Sequence, residues 1–311
     1  MPELTTNPPA SSFIEPGTLL EKTLQQTKFA RESGTLKSIE TEHQIVEQDD
    51  ICFVVRTKGN LTRKEQAKKA QNQQEKKTGK RCDPFLPYET DMFVGDISPS
   101  HICLLNKFNV VDNHLLIVTR AFESQTDLLN LNDFAALWFC LQEIDGLVFF
   151  NGGEAAGASQ PHKHLQLIPF PFMEKTLDLP IEKAIAKVEF KDSLGTIPSF
   201  HFRHQIAKLN LSLDESASTA AEMMLQQYHL LLERVGLNVE DNTQKQPDAY
   251  NFLATRNWML IIPRSHGVFK TIPINSLGFA GSLFVRDRDS LELLKQVTPL
   301  KLLEKVAFSD R

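Results

Sequence analysis

Four cysteines are few for a chain of 311 residues, and Cys52, Cys82, Cys103 and Cys140 contain no C-x-x-C pair. That spacing excludes a zinc ribbon or a dithiol redox motif and leaves reduced, mostly buried thiols. A run of 18 uninterrupted apolar residues is also missing, so no membrane span is expected. The start, MPELTTNPPASS, lacks the basic stretch and apolar segment of a secretory signal, which points to a cytoplasmic protein. Basic surplus is absent too: 34 Lys and Arg face 39 Asp and Glu, a net charge of -5, which argues against a nucleic-acid partner. With 41% hydrophobic and 23% charged residues the chain is neither disordered nor a coiled coil as a whole. Its length suits about two domains or one fused α+β unit.

What is present reads as strands and helices in alternation. Leu19, Leu20, Thr23, Leu24, Thr27 and Ala30 recur at helical spacing before Gly34. Leu36 to Glu47 and Ile51 to Thr57 read as two strands joined by Gln48-Asp49-Asp50. Residues 61–81 are basic and nearly without apolar side chains, so they read as a mobile loop. ICLLNKF and HLLIVTR form a hairpin. Asn132 or Asp133 can cap a helix carrying Phe134, Leu137, Trp138, Leu141 and Ile144, and GLVFF follows as a buried strand. A second amphipathic helix spans Ala221 to Val235, and YNFLATRNWMLIIPR is a second hairpin.

The chemistry concentrates in NGGEAAGASQPHKHLQLIPFP, from Asn151 to Pro171. On a strand, alternate side chains share a face, so His162, His164 and Gln166 project together at intervals of about 6.6 Å while Lys163, Leu165 and Leu167 point the other way. The nearby small residues leave backbone N–H groups uncovered, and Gly157, Ala158 and Ser159 are the candidate cradle for a phosphate. Neutral imidazole is a competent nucleophile near pH 7, and its attack on phosphorus gives an N–P bond reactive enough to pass the group on. Packed core or surface histidines, or a metal-binding H-x-H pair, would also fit two imidazoles alone. No cysteine or carboxylate flanks the pair at ligand spacing, so no protein-held metal is expected. Gln166 cannot exchange a proton at pH 7, which disfavours water as the acceptor and favours an anionic one such as phosphate. His201 and His204, in HFRH, are expected at the surface, and Lys163 as a solvated cation.

DPFLPYE, LLNKFNVVDNHLLIVTR, GASQPHKHLQ, YNFLATRNWMLIIPR and INSLGFAGSLFVRD, in that order, resemble the transferase branch of the histidine-triad superfamily, and within it the ATP adenylyltransferase or diadenosine tetraphosphate phosphorylase family. The resemblance spans about Ile51 to Arg286. It implies a histidine-triad-like antiparallel sheet with flanking helices, enlarged by a carboxy-terminal half. Residues 1–175 would form the catalytic region, and residues 195–305 would pack on the same sheet. His164 would be the nucleophile that takes AMP, with His162 and Gln166 beside it. Asn151, Gly157, Ala158, Ser159 and Gln160 would hold phosphate and ribose. Lys58 matches a phosphate-binding lysine, Asp96 and Ile97 a nucleoside contact, and Asn275, Ser276 and Leu277 a late nucleotide-binding block. Where the family often has Met and Lys, this chain has Ser282 and Arg286, which keeps a cation at 286. The implied reaction is reversible: diadenosine tetraphosphate and phosphate give ATP and ADP through an adenylyl-histidine. Mg²⁺ would arrive with the nucleotide, no organic cofactor is implied, and the chain would work as a monomer. Two rivals remain: a hexose-phosphate uridylyltransferase, disfavoured by Lys163 and the lack of a cysteine pair, and a nucleotide-binding sensor without turnover.

Overall fold

The computed structural model describes residues 13–58, 83–172, 179–240 and 243–310, so the basic loop expected at 61–81 and Cys82 lie outside the described residues. The first helix, α1 (Leu19–Glu32), buries Leu19, Thr23, Thr27 and Ala30. Leu20 and Leu24 face solvent instead. Thr23 tolerates the inner face because its hydroxyl donates to the Leu19 carbonyl at 2.8 Å. Strands β1 (Thr41–Gln48) and β2 (Ile51–Lys58) form a hairpin. Its turn places Asp49 and Asp50 at φ 46° and 65°, the handedness a two-residue hairpin turn needs. The first strand therefore starts at Thr41, later than the expected Leu36.

Nine strands make the main sheet. They are β3 (Phe93–Ser98), β4 (His101–Leu105), β5 (Leu115–Thr119), β6 (Gly146–Gly152), β7 (His164–Pro169), β8 (Leu194–Gly195), β9 (Gln205–Lys208), β10 (Tyr250–Ala254) and β11 (Trp258–Pro263). Their order is β3-β4-β5-β7-β6-β10-β11-β9-β8, antiparallel at every pairing. The junction of the two halves is the β6–β10 pair, where Asn151 faces Asn251.

One face of this sheet carries α1, α2 (Leu131–Glu143) and, after the short α3 (Glu182–Ile185), α4 (Ala217–Arg234). Asn130, rather than the expected Asn132 or Asp133, caps α2: its side chain accepts from the amides of both, and Asp133 returns a bond to the Asn130 amide. HFRH forms no helix: His201 lies in a loop and His204 just before β9.

The opposite face is covered in two patches. Phe85, Leu86 and Tyr88 lie on Ile102, Leu104, Leu116 and Val118. A second layer covers Leu147, Phe149, Ile168, Leu253 and Leu260. It is built from β2, the small β12 (Val268–Phe269) and β13 (Ile272–Pro273) hairpin, α5 (Ser276–Phe279), β14 (Ser282–Val285), α6 (Arg288–Val297) and α7 (Pro299–Glu304). In this layer β14 runs parallel to β2. The pairing of His164 with Val118, and of Gln166 with both Leu116 and Phe149, sets these two side chains between the patches.

Candidate active site

Strand alternation decides which side chains of β7 meet the site. Leu165 and Leu167 enter the helix-covered core, which turns His164 and Gln166 to the other face. His164 Nδ1 lies 2.8 Å from the His162 carbonyl oxygen, so it carries the proton and donates. The lone pair is thereby on Nε2, which has no partner among the described residues. Burial pushes the imidazole pKa down to about 4; the bond to the His162 carbonyl opposes this and the nearby His162 ring adds to it. At pH 7 the ring is neutral and nucleophilic.

An unanticipated residue holds the strand there. Beyond Phe149 and Gln166 the β6–β7 ladder stops, and the Gln125 amide spans the gap. Gln125 Oε1 accepts from the His164 amide at 2.9 Å, while Nε2 donates to the carbonyls of Asn151 at 3.0 Å and His164 at 3.2 Å. The opening beside His164 is thus kept without stranding backbone groups.

His162 has no free nitrogen. Nδ1 is 2.8 Å from the Asp83 carboxylate and Nε2 is 2.8 Å from the Thr119 carbonyl. Phe85, held by the same turn, places its ring centroid 4.9 Å from His164. Asp83 forms this turn by accepting from the amides of Phe85 and Leu86. Gln166 is also oriented by a partner. Asn106 Nδ2 lies 3.2 Å from His114 Nδ1, which leaves His114 Nε2 to donate to Gln166 Oε1 at 3.0 Å. With its oxygen occupied, the Gln166 amide turns N–H donors outward. Lys163 is buried, contrary to the expected solvated cation, and bonds Glu123 at 3.0 Å, Asp133 at 2.7 Å and the Leu128 carbonyl at 2.8 Å. Burial opposes the Asp133 charge, yet its hydrogen bond from His101 and the Lys163 charge hold its pKa below the usual range.

The structure brings the glycine loop and the late block together. A Cβ at Gly157, which has φ +89°, would stand 2.6 Å from the Ile274 carbonyl and 2.8 Å from Asn275 Cβ. Only glycine permits that approach. The amides of Gly157 and Ala158 are spent on the Glu154 and Gly153 carbonyls, so within the cradle expected at 157–159 only the Ser159 amide is without a partner among the described residues. The amides of Ser159 and Gln160 have no partner among the described residues. Asn151 Oδ1 accepts from Asn251 Nδ2 and from both the amide and hydroxyl of Ser276, so Ser276 belongs to the frame around the loop. Asn275 caps α5 by accepting from the Leu277 amide at 3.1 Å. The sequence contains no local signal for Gln125, whereas Asn251 lies inside YNFLATRNWMLIIPR. Asp83 and His114 likewise lie inside DPFLPYE and the HLLIVTR hairpin.

Other expected contacts stand further out. Asp96 pairs with Arg120 on β3, and Ile97 packs toward the helix-covered core. β3 is three strands from β7, roughly 14 Å at the usual strand spacing. Val285 faces Thr57 in the parallel β2–β14 pair, one residue before Arg286 and Lys58 in their respective segments. Ser282 is buried and its hydroxyl has no hydrogen-bond partner among the described residues. His204 is buried too: its Nε2 accepts from the Ile197 amide at 2.7 Å. Among the described residues no group of three His, Cys, Asp or Glu side chains converges as a metal cage. No helix among them is long and apolar enough to cross a membrane.

A neutral imidazole on an antiparallel sheet, its Nε2 without a partner among the described residues and a loop with open backbone amides just before it in the chain, fits what nucleotidyl transfer through histidine requires. Residues 9–187 match the family model of the Ap4A phosphorylase N-terminal domain, and residues 198–309 that of the ATP adenylyltransferase C-terminal domain. The chain is 32% identical over 235 residues to diadenosine 5',5'''-P1,P4-tetraphosphate phosphorylase 2 of Saccharomyces cerevisiae, covering 69% of this chain and 72% of that protein. Its structure is similar to that of yeast Ap4A phosphorylase Apa2 in complex with AMP, at a TM-score of 0.75 and 25% identity over 96% of this chain and 99% of that one. The same yeast protein in complex with Ap4A matches at a TM-score of 0.71 and 23% identity, over 96% of this chain and 100% of that one. The protein belongs to the Ap4A phosphorylase family.

Proposed function

We infer that this enzyme catalyses the reversible phosphorolysis of diadenosine tetraphosphate to ATP and ADP, with His164 carrying the adenylyl group between the two halves. The observation that carries the reading is His164 itself, whose Nδ1 proton is committed to a carbonyl and whose Nε2 is open. In the first half Nε2 attacks the α-phosphorus of one adenosine. The N–P bond forms as the P–O bond to the remaining ATP breaks, and ATP leaves as the anion. In the second half an oxygen of inorganic phosphate attacks the same phosphorus, the N–P bond breaks, ADP forms and His164 returns neutral. No protein acid is needed, because the leaving polyphosphate is a stable anion.

Gln166, with its oxygen held by His114, donates to a non-bridging oxygen of the transferring phosphoryl group as charge develops there. Ser159 and Gln160 supply amides to the adjoining phosphate, and Asn151 and Asn275 fix that loop. Lys58 and Arg286 would supply cations to the outer phosphates, and Asp96 would approach a second nucleoside from β3. Mg²⁺ accompanies the polyphosphate as part of the substrate. The continuous sheet made by both halves supports action as a monomer. The decisive experiment incubates the protein with α-labelled ATP. An acid-labile, base-stable adduct absent from His164→Ala is expected; nucleotide binding with no adduct would sink the covalent route and favour a sensor.

A further inference from the structure

One buried charge has no part in these steps. Arg264 follows β11, is 1% exposed, and lies with its guanidinium carbon 5.1 Å from the centre of the Phe279 ring. Each of its N–H donors ends on an uncharged oxygen. Nε donates to the Val306 carbonyl at 3.1 Å. Nη1 donates to Asn251 Oδ1 and, at 3.4 Å, to the Ala156 carbonyl. Nη2 donates to the carbonyls of His266 at 2.6 Å and Ile274 at 3.1 Å. Among the described residues no carboxylate pairs with it.

Buried cations are ordinarily neutralised by an adjacent anion, because an isolated charge in a poorly solvated interior is costly. Here the donors are satisfied while the charge is not. The location gives that excess charge a use. Ala156 immediately precedes Gly157, and Ile274 immediately precedes Asn275, so the guanidinium grips both sides of the seam where the glycine loop meets the late block. Asn251 reinforces the same seam by donating to the Ala156 carbonyl and to Asn151. Three residues past Ala156 the open amides begin.

We propose that Arg264 is a positioning residue that locks this seam and sets a fixed positive field behind it, so that the loop prefers a phosphate-bearing nucleotide to the corresponding uncharged nucleoside. With every N–H spent on protein, Arg264 acts on the ligand through its charge rather than by contact. Burial lowers its pKa to about 9, the direction expected when no anion of the protein stands nearby. The inference rests on the adenylyl-transfer reading of the site.

The test measures equilibrium binding of AMP and of adenosine to the full chain and to two variants, alongside their thermal unfolding. Arg264→Gln is expected to lose about tenfold in AMP affinity, the order of effect a unit charge exerts across several ångströms of protein. Adenosine affinity should change less than twofold. Arg264→Lys keeps the charge without the fork, so its melting temperature should fall while its preference for AMP over adenosine stays. Equal losses for both ligands in Arg264→Gln, or no loss for either, would overturn the assignment. Should Arg264→Gln not fold, a collapse of the AMP preference in Arg264→Lys would overturn it equally. A wild-type chain that binds AMP no better than adenosine would instead remove the functional reading beneath it.

Discussion

His164 and His204 occupy two regions of the molecule that resemble each other closely at the level of one ring. In each, Nδ1 donates at 2.8 Å to the carbonyl two residues earlier, His162 in one case and Phe202 in the other. Burial lowers both pKa values to about 4. Aromatic rings flank both, Phe85 beside His164 and Phe200 and Phe202 beside His204. The difference is at Nε2. For His204 that nitrogen accepts from the Ile197 amide at 2.7 Å, whereas for His164 it has no protein partner among the described residues. A depressed pKa therefore reports enclosure in both places, while the proposed function assigns chemistry to His164 alone. The uncommitted lone pair is what separates a reactive imidazole from a structural one.

The comparison breaks most directly at the rings themselves. His164→Ala should lower phosphorolysis by about 10⁴-fold, the scale seen when a covalent nucleophile is removed. Its melting temperature should stay near that of the wild type. His204→Ala should still form the adenylyl adduct at close to the native rate, and an adduct lost from that variant would erase the distinction. Acid conditions should act on both rings alike. Each has a folded pKa near 4, below the unfolded value of about 6.5, so the unfolded chain binds more protons in that window. Stability is then full above about pH 6.5 and is lost as pH falls toward 4, by up to about 3 kcal/mol for each ring. Denaturant titrations at pH 7 and pH 4.5 measure this, and His204→Gln should flatten the dependence. Adenylylation of His164 should meanwhile persist at pH 5.5, where a solvent-exposed imidazole would already be mostly protonated.

At neutral pH, His204→Ala should cost about 2 kcal/mol, because the Ile197 amide would be left buried without an acceptor. Chemical denaturation reads that number, and a neutral result would mean that the loop relaxes to find water. The smallest effect concerns the acceptor. Gln166→His introduces a group able to move a proton, so the ratio of hydrolysis to phosphorolysis should rise about tenfold. Release of AMP against formation of ADP gives the ratio, and an unchanged partition would show that Gln166 does not govern the choice of acceptor.

Much of this was legible in residue order. Alternation in His162-Lys163-His164-Leu165-Gln166 correctly separates the reactive face from the core, and the hairpins at β4–β5 and β10–β11 follow their apolar runs. Local pattern failed where several residues could play one part. Asn130, Asn132 and Asp133 are all plausible caps for α2, and the choice is settled by reciprocal bonds that only the folded turn reveals. HFRH contains no apolar periodicity and so gives no sign that His204 is buried, which follows from Phe200 and Phe202 packing on it and on the distant Phe279. A lysine next to two histidines says nothing of Glu123 and Asp133, which reach Lys163 from other elements and bury it. Gln125 is the clearest case: one glutamine in a polar stretch has no pattern, yet it replaces the missing ladder beside His164.

The seam between β6 and β10 sets how this protein can be divided. Severing the polypeptide between residues 187 and 198 would strip β6 of its neighbour along Val148 to Gly152 and bare a row of amides and carbonyls with an apolar border. Such a fragment would capture another strand, its own kind included, so the amino-terminal portion expressed by itself should precipitate, and mixing it with the missing portion should restore solubility.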